Sequence, residues 1–191
     1  MNKFLFFFIA FTSAIAAQQS YIDYQSPFHP TVSKYGMVVS QNHLSSDIGV
    51  QILNKGGNAV DAAVAVGFSL AVTLPRAGNL GGGGFMLVYL KERDEIFYID
   101  YRSKSPLNSS IENIFDLAKS RNLKPQDFTN DMFDKTRYGY KAPAVPGTVA
   151  GLLEAHEKFG KLSLQEILEP VIKQAEEGII VSYDLSKAIE D

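Results

Sequence analysis

Two features of this 191-residue sequence have residue types and spacing that could do chemistry. The first is the run Gly81-Gly82-Gly83-Gly84, which closes the longer stretch that begins Gly78-Asn79-Leu80. A glycine loop can cradle a phosphate when the order is strand, loop, helix, because the helix N-terminus then faces the anion. The order here reads helix, loop, strand, and the Lys-Ser/Thr pair of a Walker loop is missing. The run therefore predicts a place where backbone passes close to backbone and a Cβ would clash. A flexible linker fits less well, because strongly apolar segments flank the run on both sides. The second feature is Arg102, at the end of the apolar stretch Ile99-Asp100-Tyr101-Arg102. A guanidinium there can grip a carboxylate through two parallel hydrogen bonds. It could equally close a structural salt bridge, to Asp100 or to another part of the fold, and residue chemistry leaves both readings open.

Other chemistries find no support. The sequence has no cysteine, which removes disulfides, thiolate zinc sites, iron–sulfur clusters and a Cys nucleophile together. None of the three histidines, His29, His43 and His156, has a second ligand-type residue at metal spacing, so no metal site is expected. No Gly-x-Ser-x-Gly elbow occurs, and no His or Asp is spaced to complete a triad. Glu176-Glu177 falls on an amphipathic helical pattern and reads as solvated surface. A net charge of −3 without any Lys/Arg block argues against nucleic acid as a partner.

The N-terminus carries targeting information. Lys3, the apolar run Phe4 to Ile15 and the small-x-small site Ala14-Ile15-Ala16 predict a secretory signal peptide over residues 1–17, cut after Ala16 or Ala17. The run is shorter than the ~20 residues that a spanning helix needs, so no stable membrane span is expected. The implied compartment is periplasmic or extracellular. Residues 18–35 read as an extended leader, in which Pro27 and Pro30 oppose a helix.

Beyond the leader the pattern is mixed α/β. Met37 to Ser40 reads as a short strand. Leu44, Ile48, Ile52 and Leu53 recur at helical spacing, with Asn42 or Ser45 as cap and Gly56-Gly57 as terminator. Asn58 starts the next helix, and Asp61 sits favourably in its first turn. Ala59 to Val72 is apolar nearly all round, which predicts a buried core helix closed by Pro75. Phe85 to Leu90 and Ile96 to Tyr101 predict an antiparallel hairpin turning through Lys91 to Glu95. Ser103 to Lys141 reads as a polar excursion with a short helix near Ile111 to Arg121. Helices follow from Pro146-Gly147-Thr148 to Gly160, and from the capping box Ser163-Leu-Gln-Glu166 to Gly178 with a kink at Pro170. Ser182 caps a last one.

Three motifs together resemble one family. They are Gly56-Gly57-Asn58-Ala59-Val60-Asp61-Ala62-Ala63-Val64-Ala65, then Ala77-Gly78-Asn79-Leu80-Gly81-Gly82-Gly83-Gly84-Phe85, then Pro146-Gly147-Thr148-Val149-Ala150-Gly151. In this order they resemble the γ-glutamyltransferases, from about Gly36 onward. The resemblance implies a secreted precursor of the N-terminal nucleophile hydrolase class. Its fold is an αββα four-layer sandwich, incomplete in this chain. It implies self-cleavage into two subunits and a nucleophilic Thr at the new N-terminus of the small one, beyond Asp191. The implied substrates are glutathione or other γ-glutamyl donors, with water, amino acids or peptides as acceptors. The implied partner is the remainder of the precursor, and no metal or organic cofactor is implied. Arg102 falls in Asp100-Tyr101-Arg102-Ser103-Lys104-Ser105-Pro106, which resembles the family's Asp-Phe-Arg-Glu-x-Ala-Pro segment. That match implies that Arg102 binds the α-carboxylate of the γ-glutamyl group. Ser103 departs from the usual Glu, and Ser105 from Ala. On this reading residues 36–191 are the truncated N-terminal portion of a large subunit, inactive alone. The alternatives are an inactive binding polypeptide and a fragment of a related acylase.

Overall fold

The structure, a computed structural model, describes residues 32–114 and 137–190. The chain divides into two units, 1–35 and 36–191. Of the first, only residues 32–35 are described; they are exposed, and Lys34 lies over the Tyr35 ring. The predicted signal peptide and most of the predicted leader, with His29, lie outside the described residues.

The second unit begins with an expectation that fails. Met37 to Ser40 is extended in its side-chain alternation, with Met37 and Val39 exposed, but it forms no strand. A strand is a pairing, and no described segment offers this one a ladder.

Helix α1 (His43–Asn54) is capped by Asn42, whose side chain accepts from the Leu44 amide. Gly56 ends the turn at φ +91°, a conformation that a Cβ would strain. Helix α2 (Ala59–Thr73) starts in a reciprocal capping box: Asn58 accepts from the Asp61 amide, and Asp61 accepts from the Asn58 amide. Strands β1 (Phe85–Leu90) and β2 (Glu95–Asp100) form an antiparallel hairpin in the register Phe85↔Asp100 to Leu90↔Glu95. Its turn spans residues 91–94, with Asp94 at φ +52°. Of the predicted helix at Ile111 to Arg121, the described part is α3 (Ile111–Ile114). Helix α4 (Thr148–Phe159) has Gly147 at its N-cap. Helix α5 (Leu164–Glu177) opens in the Ser163/Glu166 box and runs on through Pro170. Helix α6 (Tyr183–Glu190) is capped by Ser182, whose hydroxyl accepts from Leu185 N.

The α2 helix is the centre. Val60, Ala62, Val64 and Ala65 are buried, and α1, α4 and α5 pack around it. Its small side chains let neighbouring helices approach closely: a Cβ at Gly67 would meet the Leu152 methyls of α4. Ile52, Leu152, Ala155, Ile167 and Val171 complete the core, with Val88 and Ile99 reaching in from the inner face of the hairpin. Phe97 meets Phe159 of α4 at 5.0 Å between ring centroids. The polar residues of α2 are also buried and satisfied. Ser69 and Thr73 both hydrogen-bond Ser45 of α1 at 2.8 Å, and Ser69 bonds Gln174 of α5 at 2.7 Å. A helical layer thus covers one face of the sheet, the partial α/β arrangement expected. The remaining layers of a four-layer sandwich are not among the described residues.

Candidate functional site

Arg102 sits where three elements converge. The hairpin ladder continues past β2: Gly84 N donates to Tyr101 O and Tyr101 N to Gly84 O, at 3.2 and 3.1 Å. Three residues after Tyr101, Lys104 and Val145 exchange both backbone hydrogen bonds, at 3.1 and 2.8 Å. The glycine loop is tied to the start of α4, because Gly82 O accepts from Gly147 N and Thr148 N. Residues 101–104 are thereby held between the loop on one side and the start of α4 on the other.

This convergence explains the glycines. A Cβ at Gly83 would fall on the Ser103 nitrogen, and one at Gly147 on the Tyr101 carbonyl oxygen. A Cβ at Gly84 would lie 2.8 Å from Tyr101 Cε2, and one at Gly151 would overlap the Tyr101 Cβ and ring. Both glycine motifs therefore serve the same purpose. They open a slot for Tyr101, the residue before Arg102, and close backbone approach is the correct reading of the loop. Burial raises the Tyr101 phenol above its usual pKa of 10.0, so its ring stays neutral in the slot.

Arg102 itself is exposed. Its backbone N donates to Asp100 Oδ1 at 2.9 Å, and its Nη1 donates to Ser103 Oγ at 2.7 Å. Asp100 thus caps the backbone and does not pair with the guanidinium. Among the described residues Arg102 makes no ion pair, so the salt-bridge alternative has no partner there. Chemically the site is a fixed backbone that presents the Arg102 guanidinium to solvent, with exposed Lys104 two residues on.

The other residues singled out in the sequence lie apart from it. His43 is the first residue of α1, and His156 Nε2 is 2.8 Å from Leu162 O in the α4–α5 link. Among the described residues no cluster of three or more metal-type ligands occurs. Glu177 pairs with Lys173 on exposed α5 surface. Three roles were missed. Tyr101 is the object of the slot, Ser103 is the acceptor for Arg102, and Asp61 is a buried junction. Asp61 has no exposed surface and accepts from Lys161 N at 2.9 Å and Leu162 N at 3.3 Å, joining α2 to the α4–α5 link. The Asn58-x-x-Asp61 spacing could have signalled the box, though not the link.

Comparison with known proteins places this geometry. The family described as Gamma-glutamyltranspeptidase matches residues 45–191. The chain is 41% identical over 179 residues to the glutathione hydrolase proenzyme of Escherichia coli, covering 92% of this chain and 29% of that protein. It is 41% identical over 152 residues to the glutathione hydrolase proenzyme of a Pseudomonas species, covering 80% of this chain and 24% of that protein. The crystal structure of Helicobacter pylori gamma-glutamyltranspeptidase superposes with a TM-score of 0.71 at 40% identity, over 85% of this chain and 43% of that one. The chain therefore spans under a third of the length of these curated relatives.

Proposed function

This chain belongs to the gamma-glutamyltranspeptidase family, and from that premise we propose that it supplies the N-terminal part of a glutathione hydrolase precursor. In that precursor the γ-glutamyl group of glutathione passes to water, an amino acid or a peptide. The nucleophile is an N-terminal Thr supplied by the remainder of the polypeptide, with its own amine as base. No metal or organic cofactor takes part. Arg102 holds the α-carboxylate of the donor. The observation that carries this role is the exposed guanidinium on a backbone pinned by the glycine slot, with no carboxylate partner among the described residues. A cation so placed keeps its remaining N–H donors for a ligand and can present them in a fork that fits a carboxylate.

Export belongs to the same reading. Residues 1–17 act as a cleaved signal, 18–35 as a leader, and 36–191 as the N-terminal portion of the large subunit, in a periplasmic or extracellular enzyme. No described helix is long and apolar enough to cross a membrane. N-terminal sequencing of the secreted product should read from Ala17 or Gln18; an intact Met1 in a membrane fraction would overturn this.

Arg102 is tested by co-producing this chain with the part of the E. coli relative that lies outside the match. Turnover of a chromogenic γ-glutamyl anilide is the readout. Arg102→Ala should lower donor use by roughly ten- to a hundredfold, the equivalent of ~1.5–3 kcal/mol for a lost charged hydrogen-bond pair. Arg102→Lys should recover only part, because an ammonium makes no fork. Unchanged donor kinetics in Arg102→Ala would remove the assignment.

A further inference from the structure

We infer that Ser103 is a positioning residue that orients the Arg102 guanidinium. The inference rests on Arg102 as the donor-binding cation and adds how its head is aimed.

The backbone around Arg102 is fixed residue by residue. Tyr101 lies in the glycine slot. The Arg102 amide is capped by Asp100 Oδ1. The Ser103 nitrogen sits in the space that a Gly83 Cβ would take. Lys104 is paired on both backbone groups with Val145. What this leaves free is the long Arg102 side chain, exposed to solvent. An unrestrained arginine there would sample many rotamers and lose that freedom on binding. The one hydrogen bond that acts on its head among the described residues is Nη1 to Ser103 Oγ, at 2.7 Å. Ser103 is half-buried on a pinned backbone, which holds its hydroxyl within reach of the guanidinium. Because that acceptor is neutral, it orients the guanidinium without compensating its charge. The full cation remains for an incoming carboxylate.

The experiment compares arginine reactivity within one molecule. The full chain, as wild type, Ser103→Ala and Ser103→Thr, is treated with phenylglyoxal at low micromolar concentration, and each site is followed by peptide mass spectrometry. Arg76 and Arg93 are exposed, lack ion pairs among the described residues and serve as internal standards. In Ser103→Ala the Arg102 rate should rise about two- to tenfold, as expected for the loss of one such hydrogen bond, while Arg76 and Arg93 keep theirs. Ser103→Thr retains the hydroxyl and should stay near the wild-type rate. An equal Arg102 rate in wild type and Ser103→Ala overturns the inference. So does a rise that Arg76 and Arg93 share, since that marks general loosening. L-Glutamate added to the wild-type chain co-produced with the remaining part of the E. coli relative tests the underlying reading separately. If Arg102 is not protected yet still becomes more reactive in Ser103→Ala, the donor role fails while the positioning stands.

Discussion

Tyr101 is the residue whose surroundings most constrain the site, and its ring gives the glycine slot a direct test. The atoms nearest a methyl at Gly84 are on the far edge of the ring, Cε2, Cζ and the hydroxyl oxygen, between 2.8 and 3.0 Å away. Gly84→Ala should therefore destabilise the chain by about 1–3 kcal/mol through overpacking. Adding Tyr101→Ala removes the obstructing atoms, so the double variant should be less destabilised than the sum of the two single ones. Thermal or denaturant melts of the four proteins measure this; strict additivity would mean that the ring and Gly84 do not compete for space. The glycines were visible in the sequence as a demand for close approach. What they approach was not, because Gly84, Tyr101, Gly147 and Gly151 come together only through the hairpin and the start of α4.

At the scale of the element, two carboxylates act at helix starts in different ways. Asp61 closes the α2 capping box and also receives the amides of Lys161 and Leu162. Asp61→Ala leaves these part-buried donors without their acceptor and should cost about 1–3 kcal/mol. Asp61→Asn keeps one acceptor oxygen and should cost less; equal melting points for wild type and Asp61→Ala would show that the junction contributes nothing. Glu166 caps α5, and hydrogen bonds from the Ser163 hydroxyl and amide hold its carboxyl below the usual 4.5. A carboxyl whose pKa is lowered by folding stabilises the fold fully above its unfolded value. Its contribution is lost as the pH falls through the lowered folded value. The Ser163→Ala variant should lose the hydroxyl's share, so that carbon-detected NMR titration finds Glu166 closer to 4.5. A Glu166 titration unmoved by the substitution would remove the capping explanation. Both boxes are local, their partners three residues apart, and Ser163-x-x-Glu166 was legible for that reason. The second half of the Asp61 role spans a hundred residues of sequence and was not.

On the whole-molecule scale, the hairpin has an inner face in the core and an outer face of Phe85, Leu87, Tyr89, Ile96 and Tyr98 in solvent. Leu87 is 72% exposed and Ile96 70%, although every second residue of a strand faces the same way and these are all large and apolar. A face of this kind is normally covered. The isolated chain should therefore self-associate, and Leu87→Lys with Ile96→Lys should shift it toward the monomer in analytical ultracentrifugation. A monomeric wild type would show that this face tolerates water. The chain alone should also give no turnover of a γ-glutamyl anilide above background. Acyl transfer needs a nucleophile beside a base and donors for the oxyanion. The sequence has no cysteine and no triad spacing. A carboxylate clamp of the kind proposed for Arg102 would bind ground and transition states alike, which does not speed a chemical step.

The sequence by itself determined the helices, their caps, the hairpin and the family, because each rests on residues close together in the chain. Helical spacing marked α1, the apolar run after Asn58 marked α2, start and stop residues marked α4 and α5, and three glycine-bearing motifs in order marked the resemblance that the family match bears out. It misread Met37 to Ser40, since an alternating apolar run says that a strand is possible and not that a partner exists. Tertiary structure alone decided that both glycine motifs serve one tyrosine, that Asp61 ties α2 to a distant link, and that Asp100 binds a backbone amide while Ser103 takes the guanidinium. The slot and the Asp61 junction depend on which distant segments the packing of α2 and the hairpin brings within hydrogen-bond reach. The choice between Asp100 and Ser103 depends on how that packing fixes the backbone beside Arg102. Linear spacing carries no record of either.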